Sequence, residues 1–137
     1  MKRCLPNAAV AGMFAFLAPV TLIAAEPVRF NRDIRPIMAD TCFKCHGPAK
    51  HEAGLRLDGR DQATKAAESG ETPIVPGEPD KSELVRRIFA ADESERMPPP
   101  EARKTLTAEQ KDLLKRWVAE GAQYEKHWSF EPVRRPA

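Results

Sequence analysis

Residues 42–46 read Cys-Phe-Lys-Cys-His, and this run constrains the chain more than any other stretch of it. Two thiols three positions apart emerge from one face of a helical turn, where each is placed to bond a vinyl group of one porphyrin. The histidine that follows then lies under the iron. Cys-x-x-Cys-His is the attachment signature of c-type haem, with the neutral imidazole as proximal ligand. Cys42 and Cys45 therefore read as the covalent attachment points of one haem c, and His46 as an iron ligand. Three other readings compete. A redox dithiol calls for an alternation of strands and helices around it, which the pattern lacks. A closed zinc site usually takes two separated ligand pairs, whereas Cys42, Cys45, His46 and His51 come from one short stretch. A plain structural disulfide is the third.

The start of the chain suits the haem reading. Lys2 and Arg3 precede an apolar run from Ala8 to Ala25, interrupted only by Gly12, Pro19 and Thr21, and Ala24-Ala25 offers small residues for cleavage. That is the outline of a secretory signal over residues 1–25, and it implies an exported, periplasmic or cell-envelope protein. An uncleaved membrane anchor is the rival, since the run approaches a spanning length. Cleavage after Ala25 removes Cys4, the first of three cysteines, and leaves only Cys42 and Cys45. An exported domain whose remaining thiols are both engaged avoids mispaired disulfides in an oxidising compartment.

The remaining stretch, residues 26–137, is long enough for one small domain. The whole chain carries 22 Lys and Arg against 20 Asp and Glu, and loss of Lys2 and Arg3 brings the balance to zero. This charge points to no nucleic-acid partner and to no membrane surface. Of the 13 prolines only Pro6 and Pro19 precede residue 26, so the domain is rich in loops. A buried cofactor would supply apolar surface that such a chain lacks.

Three helices are predicted, with long loops between them and no internal repeat. The first runs from about Asp33 to Cys45, with Asp33 as N-cap, Pro36 in the first turn and an inward stripe of Ile34, Ile37, Met38 and Thr41. The second starts at Asp80, where Asp80-Lys81-Ser82-Glu83 has capping-box form before Leu84, Val85, Ile88 and Phe89. The third starts at Thr107, presents Leu113, Leu114, Trp117 and Val118, and stops at Gly121. Between the first two helices, Leu55 and Leu57 alternate with Arg56 and Asp58, which allows at most a short extended piece.

Met97 is the candidate sixth ligand. It precedes Pro98, Pro99 and Pro100 in the loop between the second and third helices. Three prolines hold a backbone with little entropy left to lose on folding, and a thioether opposite His46 gives the Met/His ligand pair of cytochromes c. A methionine is also a common core filler, but a charged, proline-rich loop is a poor place for one. His127, in His127-Trp128-Ser129-Phe130, is the rival distal ligand, and His51 lies too close to His46 to cross the ring.

The stretches Phe30-Asn31-Arg32-Asp33-Ile34-Arg35-Pro36-Ile37, Cys42 to Gly47, Gly54-Leu55-Arg56-Leu57-Asp58, Val75-Pro76-Gly77, Met97-Pro98-Pro99, Leu106-Thr107, and Trp117 through Gly121-Ala122 to His127-Trp128 carry a family resemblance. Together they resemble the Planctomycete cytochrome C domain, a mono-haem module akin to class I c-type cytochromes. The resemblance implies an all-α, cytochrome c-like domain of about three helices with Pro-rich loops around a covalent haem. Its core spans 28–122, with 123–137 as a C-terminal extension or linker. It also implies Cys42 and Cys45 as attachment points, His46 as proximal and Met97 as distal ligand, and a crossing of the first and last helices that brings Ile34, Ile37 and Met38 to Leu113, Leu114 and Trp117. In the family this module usually opens a longer chain, so either the sequence is a fragment or the module works alone.

The chemistry expected of such a site is transfer of single electrons, without catalysis of its own, to a redox partner protein or to C-terminal domains missing from this chain. A membrane enters only if the leader stays uncleaved. A ligand-binding or peroxidase-like haem, which needs an open sixth position, and a haem-free module stapled by zinc or a disulfide are the alternatives. Arg56 and Arg60 are candidates to pair with haem propionates, because a guanidinium offers carboxylates a fixed donor fork. The carbonyls of Gly47-Pro48 are the nearest candidates to hold the other ring nitrogen of His46.

Overall fold

A computed structural model describes residues 26–126. Residues 1–25, read above as a secretory signal, and His127 with the residues after it lie outside the described residues. Among those described, the chain is helical, without a strand; a single antiparallel bridge pairs His46 with His51. The helices are α1 (Arg35–Thr41), α2 (Phe43–His46), α3 (Arg60–Ala63), α4 (Glu83–Ile88) and α5 (Ala108–Ala119). Long loops and single 3-10 turns join them. No described helix is long and apolar enough to cross a membrane.

The first predicted helix is present but starts earlier and in another form. A π-helical turn, Phe30–Ile34, leads directly into α1, and the Arg35 amide donates to the Phe30 carbonyl. This wide turn lies just before Pro36, whose ring would collide with the carbonyl four residues back in a regular helix. Asp33 is consequently not the N-cap. Its carboxylate sits inside the first turn and reaches back to accept from the Arg29 amide at 2.8 Å. At the other end, α1 breaks at Cys42 (φ −114°, ψ −42°) and resumes as the single turn α2.

The predicted cap of the second helix also shifts. Pro79–Lys81 form a 3-10 turn, and α4 begins only after Ser82. Ser82 is almost fully buried, and its hydroxyl accepts from the Val75 amide at 2.9 Å and donates to the Glu78 carbonyl at 3.0 Å. It ties the preceding loop together and leaves the helix uncapped by a side chain. Leu84, Val85 and Ile88 are buried as the spacing requires, but Phe89, at the C-cap, is 45% exposed.

The third helix matches its prediction closely. Thr107 Oγ1 accepts from the Gln110 amide and Gln110 Oε1 accepts from the Thr107 amide, a complete capping box. Past Glu120, Gly121 takes φ 97°, its amide donates to Val118, and Ala122 donates to Trp117, which closes the helix in a Schellman motif. Two neighbours collect on the carbonyls at this end. Gly77 donates to Val118 at 2.8 Å, and Arg60 Nη1 donates to Gly121 and Ala122 at 3.0 and 2.7 Å.

The core forms between the first turn and α5. Phe30, Ile34, Ile37 and Met38 share one buried cluster with Leu114, Trp117 and Val118, and it is the π-helical turn, more than α1, that packs on α5. Phe30 and Trp117 ring centroids lie 5.6 Å apart, and Tyr124 packs on both at 4.4 and 5.1 Å. The Tyr124 hydroxyl donates to the Leu57 carbonyl, and burial pushes its pKa far up. Packing therefore continues beyond residue 122. Glu125 accepts from the Asn31 amide and the Lys126 carbonyl from the Asn31 side chain, so 123–126 belong to the folded body.

The α5 terminus generates a stability prediction. Trp117→Ala should cost about 3–5 kcal/mol, as for other large aromatic deletions from cores. Arg60→Met, which leaves two helix-end carbonyls short of a donor, should cost about 1–3 kcal/mol. Urea titration of the two variants checks both, and an Arg60→Met midpoint equal to that of the parent would contradict the second.

Candidate metal centre

The break at Cys42 orients the attachment run. The Cys42 amide still donates to Met38 at 2.8 Å, while the amides of Cys45 and His46 both donate back to the Cys42 carbonyl, at 3.1 and 2.9 Å. One carbonyl thus winds α2 tightly and holds the two cysteines and the histidine in a single turn. His46 is fixed from its other side as well, because its carbonyl accepts from the Leu57 amide at 2.8 Å.

Gly47 is required where it stands. A Cβ on it would meet the Phe43 carbonyl oxygen at 2.3 Å, a distance that only displacement of the α2 backbone would relieve. Its own backbone is extended, so the restriction is one of space alone. The Gly47 amide donates to Lys50 at 2.9 Å and turns the chain back toward the His46–His51 bridge.

The Cys42 thiol lacks the character of a redox nucleophile. Cys42 is packed against the core, and burial raises its pKa above the ordinary thiol value, against a weaker lowering by Thr41. A redox nucleophile requires the opposite shift. The Thr41 hydroxyl donates to Ile37 at 2.7 Å and lies 3.3 Å from Cys42 Sγ. Among the described residues, no three His, Cys, Asp or Glu side chains gather as a metal-ligand set, so Cys42, Cys45, His46 and His51 do not converge as a zinc site would.

His46 has the character of a neutral donor. Burial lowers its pKa, and this effect outweighs the opposing influence of Glu52 and of the Leu55 and Glu52 backbone. Those backbone groups face the ring, and no hydrogen bond joins Nδ1 to the Gly47-Pro48 carbonyls expected from the sequence. Nδ1 is buried with no hydrogen-bond partner. His51 is exposed, next to His46 across the bridge.

Met97 comes to the same place from a different part of the chain. Its amide donates to the Arg87 carbonyl at 3.1 Å, which fastens the proline loop to the last turn of α4. The Met97-Pro98 bond is cis, Pro100–Ala102 make a 3-10 turn, and Arg103 leaves it in the left-handed region. One cavity of about 230 Å³ is lined by Cys42, Cys45, His46 and Met97, and its walls are completed by apolar side chains that include Leu55, Leu57, Leu84, Ile88 and Leu106. Arg87 and Glu83 of α4 line it too, and sequence reasoning did not single them out. Arg56 and Arg60, which it did, are engaged elsewhere: Arg56 forks the Asp58 carboxylate at 2.9 and 2.6 Å, and Arg60 holds the end of α5.

These residues fit an iron porphyrin. They combine two thiols and a neutral imidazole with an orphaned buried nitrogen, a thioether, and a wall of apolar side chains. Gly47→Ala should disturb the turn that presents them. Expressed with c-type maturation machinery, it should give markedly less haem-bearing protein than the parent, as haem stain per unit chain reports; equal yields would mean that α2 yields at no cost.

No curated protein and no solved structure matches the chain. Residues 42–101, from the first cysteine of the attachment run to the turn after the three prolines, match the family model of the Planctomycete cytochrome C, the family that the sequence resembles.

Proposed function

We propose that the chain is an exported c-type cytochrome domain of cytochrome c-like fold that binds one haem covalently and transfers single electrons. The observation that carries the reading is the shared cavity: the attachment run and Met97, remote in sequence, line one space. When bound, the haem supplies a one-electron Fe(III)/Fe(II) couple, whose potential the axial ligands and burial set.

The residues of the chain do the rest. Cys42 and Cys45 hold the group by two thioethers, His46 ligates as a neutral imidazole, and Met97 completes the ligand pair from a loop fixed to α4. Leu57 and Leu106 keep water from the inner part of the site. Exchange with a redox partner protein or with further domains of a longer chain would require that one edge of the bound group reach solvent. The apolar run before residue 26 supports export, with residues 26–137 as the haem domain.

Two experiments test the reading. In the first, protein matured with haem is extracted with acidic organic solvent and run on a denaturing gel. Haem should stay with the chain, and its transfer to the organic phase would remove the covalent claim. In the second, the oxidised protein should show the weak far-red band of sulfur-to-iron charge transfer and should resist carbon monoxide when reduced. Met97→Ala should abolish the band, lower the reduction potential and open the iron to carbon monoxide. Rapid carbon monoxide binding by the parent protein, or loss of the band in His127→Ala but not in Met97→Ala, would sink the Met97 assignment. Rapid binding would also put a ligand-binding or peroxidase-like haem ahead of electron transfer.

A further inference from the structure

An apolar cavity that takes a dianionic macrocycle needs a counter-charge, because an unpaired carboxylate is costly to bring against apolar walls. Among the described residues that line this cavity, Arg87 is the only arginine or lysine. Its side chain is 34% exposed and is held in place: Nε donates to Glu83 Oε1 at 2.7 Å and Nη1 to the Glu95 carbonyl at 3.3 Å. Nη2 makes no hydrogen bond among the described residues, so one arm of the donor fork is free. Glu83 also lines the cavity but does not depend on Arg87 for its charge balance. Arg86 grips the same carboxylate through Nε and Nη2, both at 2.6 Å, and does not line the cavity. Of the two other carboxylates of the wall, Glu52 pairs with Lys50, and Glu71 makes no ion pair among the described residues.

We propose that Arg87 is the carboxylate-binding residue of this cavity, donating through its free arm to a propionate of the bound porphyrin. The assignment rests on the haem reading above. It also gives one residue two duties, because the Arg87 carbonyl accepts the Met97 amide while its guanidinium neutralises the ring's periphery. A propionate left without this partner puts negative charge near the iron and favours the ferric form.

The test compares Arg87→Gln, Arg87→Lys and Arg86→Gln in the full haem-loaded chain by spectroelectrochemical titration. Arg87→Gln should lower the midpoint potential by the equivalent of about tenfold in the ferric-to-ferrous ratio, or about 59 mV for one electron. Arg86→Gln, which loses the same charge from the same cluster outside the cavity, should stay near the parent. Arg87→Lys should recover most of the potential while displacing the propionate-bending band in the resonance Raman spectrum. Equal shifts in Arg86→Gln and Arg87→Gln, or no shift in either, would overturn the assignment and leave the haem reading intact. If Arg87→Gln takes up no haem, the Raman band of Arg87→Lys decides, and an undisplaced band overturns it. A parent chain without covalent haem would instead refute the haem reading, and Arg87 with it.

Discussion

The last turn of α5 is where this chain is tied together. Helices this short are marginal alone, and their order comes from packing. At the end of α5, Trp117 meets Phe30 and Tyr124, while the terminal carbonyls gather Gly77 and Arg60. Four separate stretches of the chain are thereby fixed to one point. Tyr124 extends the arrangement to Leu57, whose amide in turn holds the His46 carbonyl. The path from the aromatic cluster to the attachment run is two hydrogen bonds long.

What the sequence made legible follows from how local each signal was. The capping box of α5 and its glycine stop are decided by side chains within a few residues, and both are found as read. The start of α1 was misread because Pro36 acts on the turn before it, where a π-helical form displaces Asp33 from the cap to the interior of the turn. The start of the second helix at Asp80 was misread for a different reason. A capping-box pattern gives the spacing but not the competing 3-10 turn over Pro79–Lys81, and the helix starts only after Ser82, whose buried hydroxyl serves the Val75–Glu78 loop. The small helix α3 and the burial of Ala63 and Ile74 carried no periodic signal at all.

The site divides along the same line. Cys42, Cys45, His46 and Met97 line one cavity, and the sequence singled them out because one turn of chain relates the first three and three prolines mark the loop of the last. The arginines were not. Which guanidinium reaches a cavity depends on which partners compete for the others, and Asp58 and the end of α5 take Arg56 and Arg60. That competition is tertiary, and no spacing along the chain encodes it. The match to the family model ends at residue 101, short of α5, so the helix that anchors the fold lies outside the matched stretch.

The closeness of Gly47 to Phe43 changes what has to be moved when such a centre is transplanted. The two cysteines and the histidine are defined by what they bond, and a designer would copy those letters first. The sixth position is defined by the absence of an atom, since a methyl group there would press on the carbonyl of the helix it follows. A graft limited to the chemically active letters would carry the ligands without the clearance that lets the chain leave them. The transferable unit is a hexapeptide, and the side-chain position of its final member contributes only room.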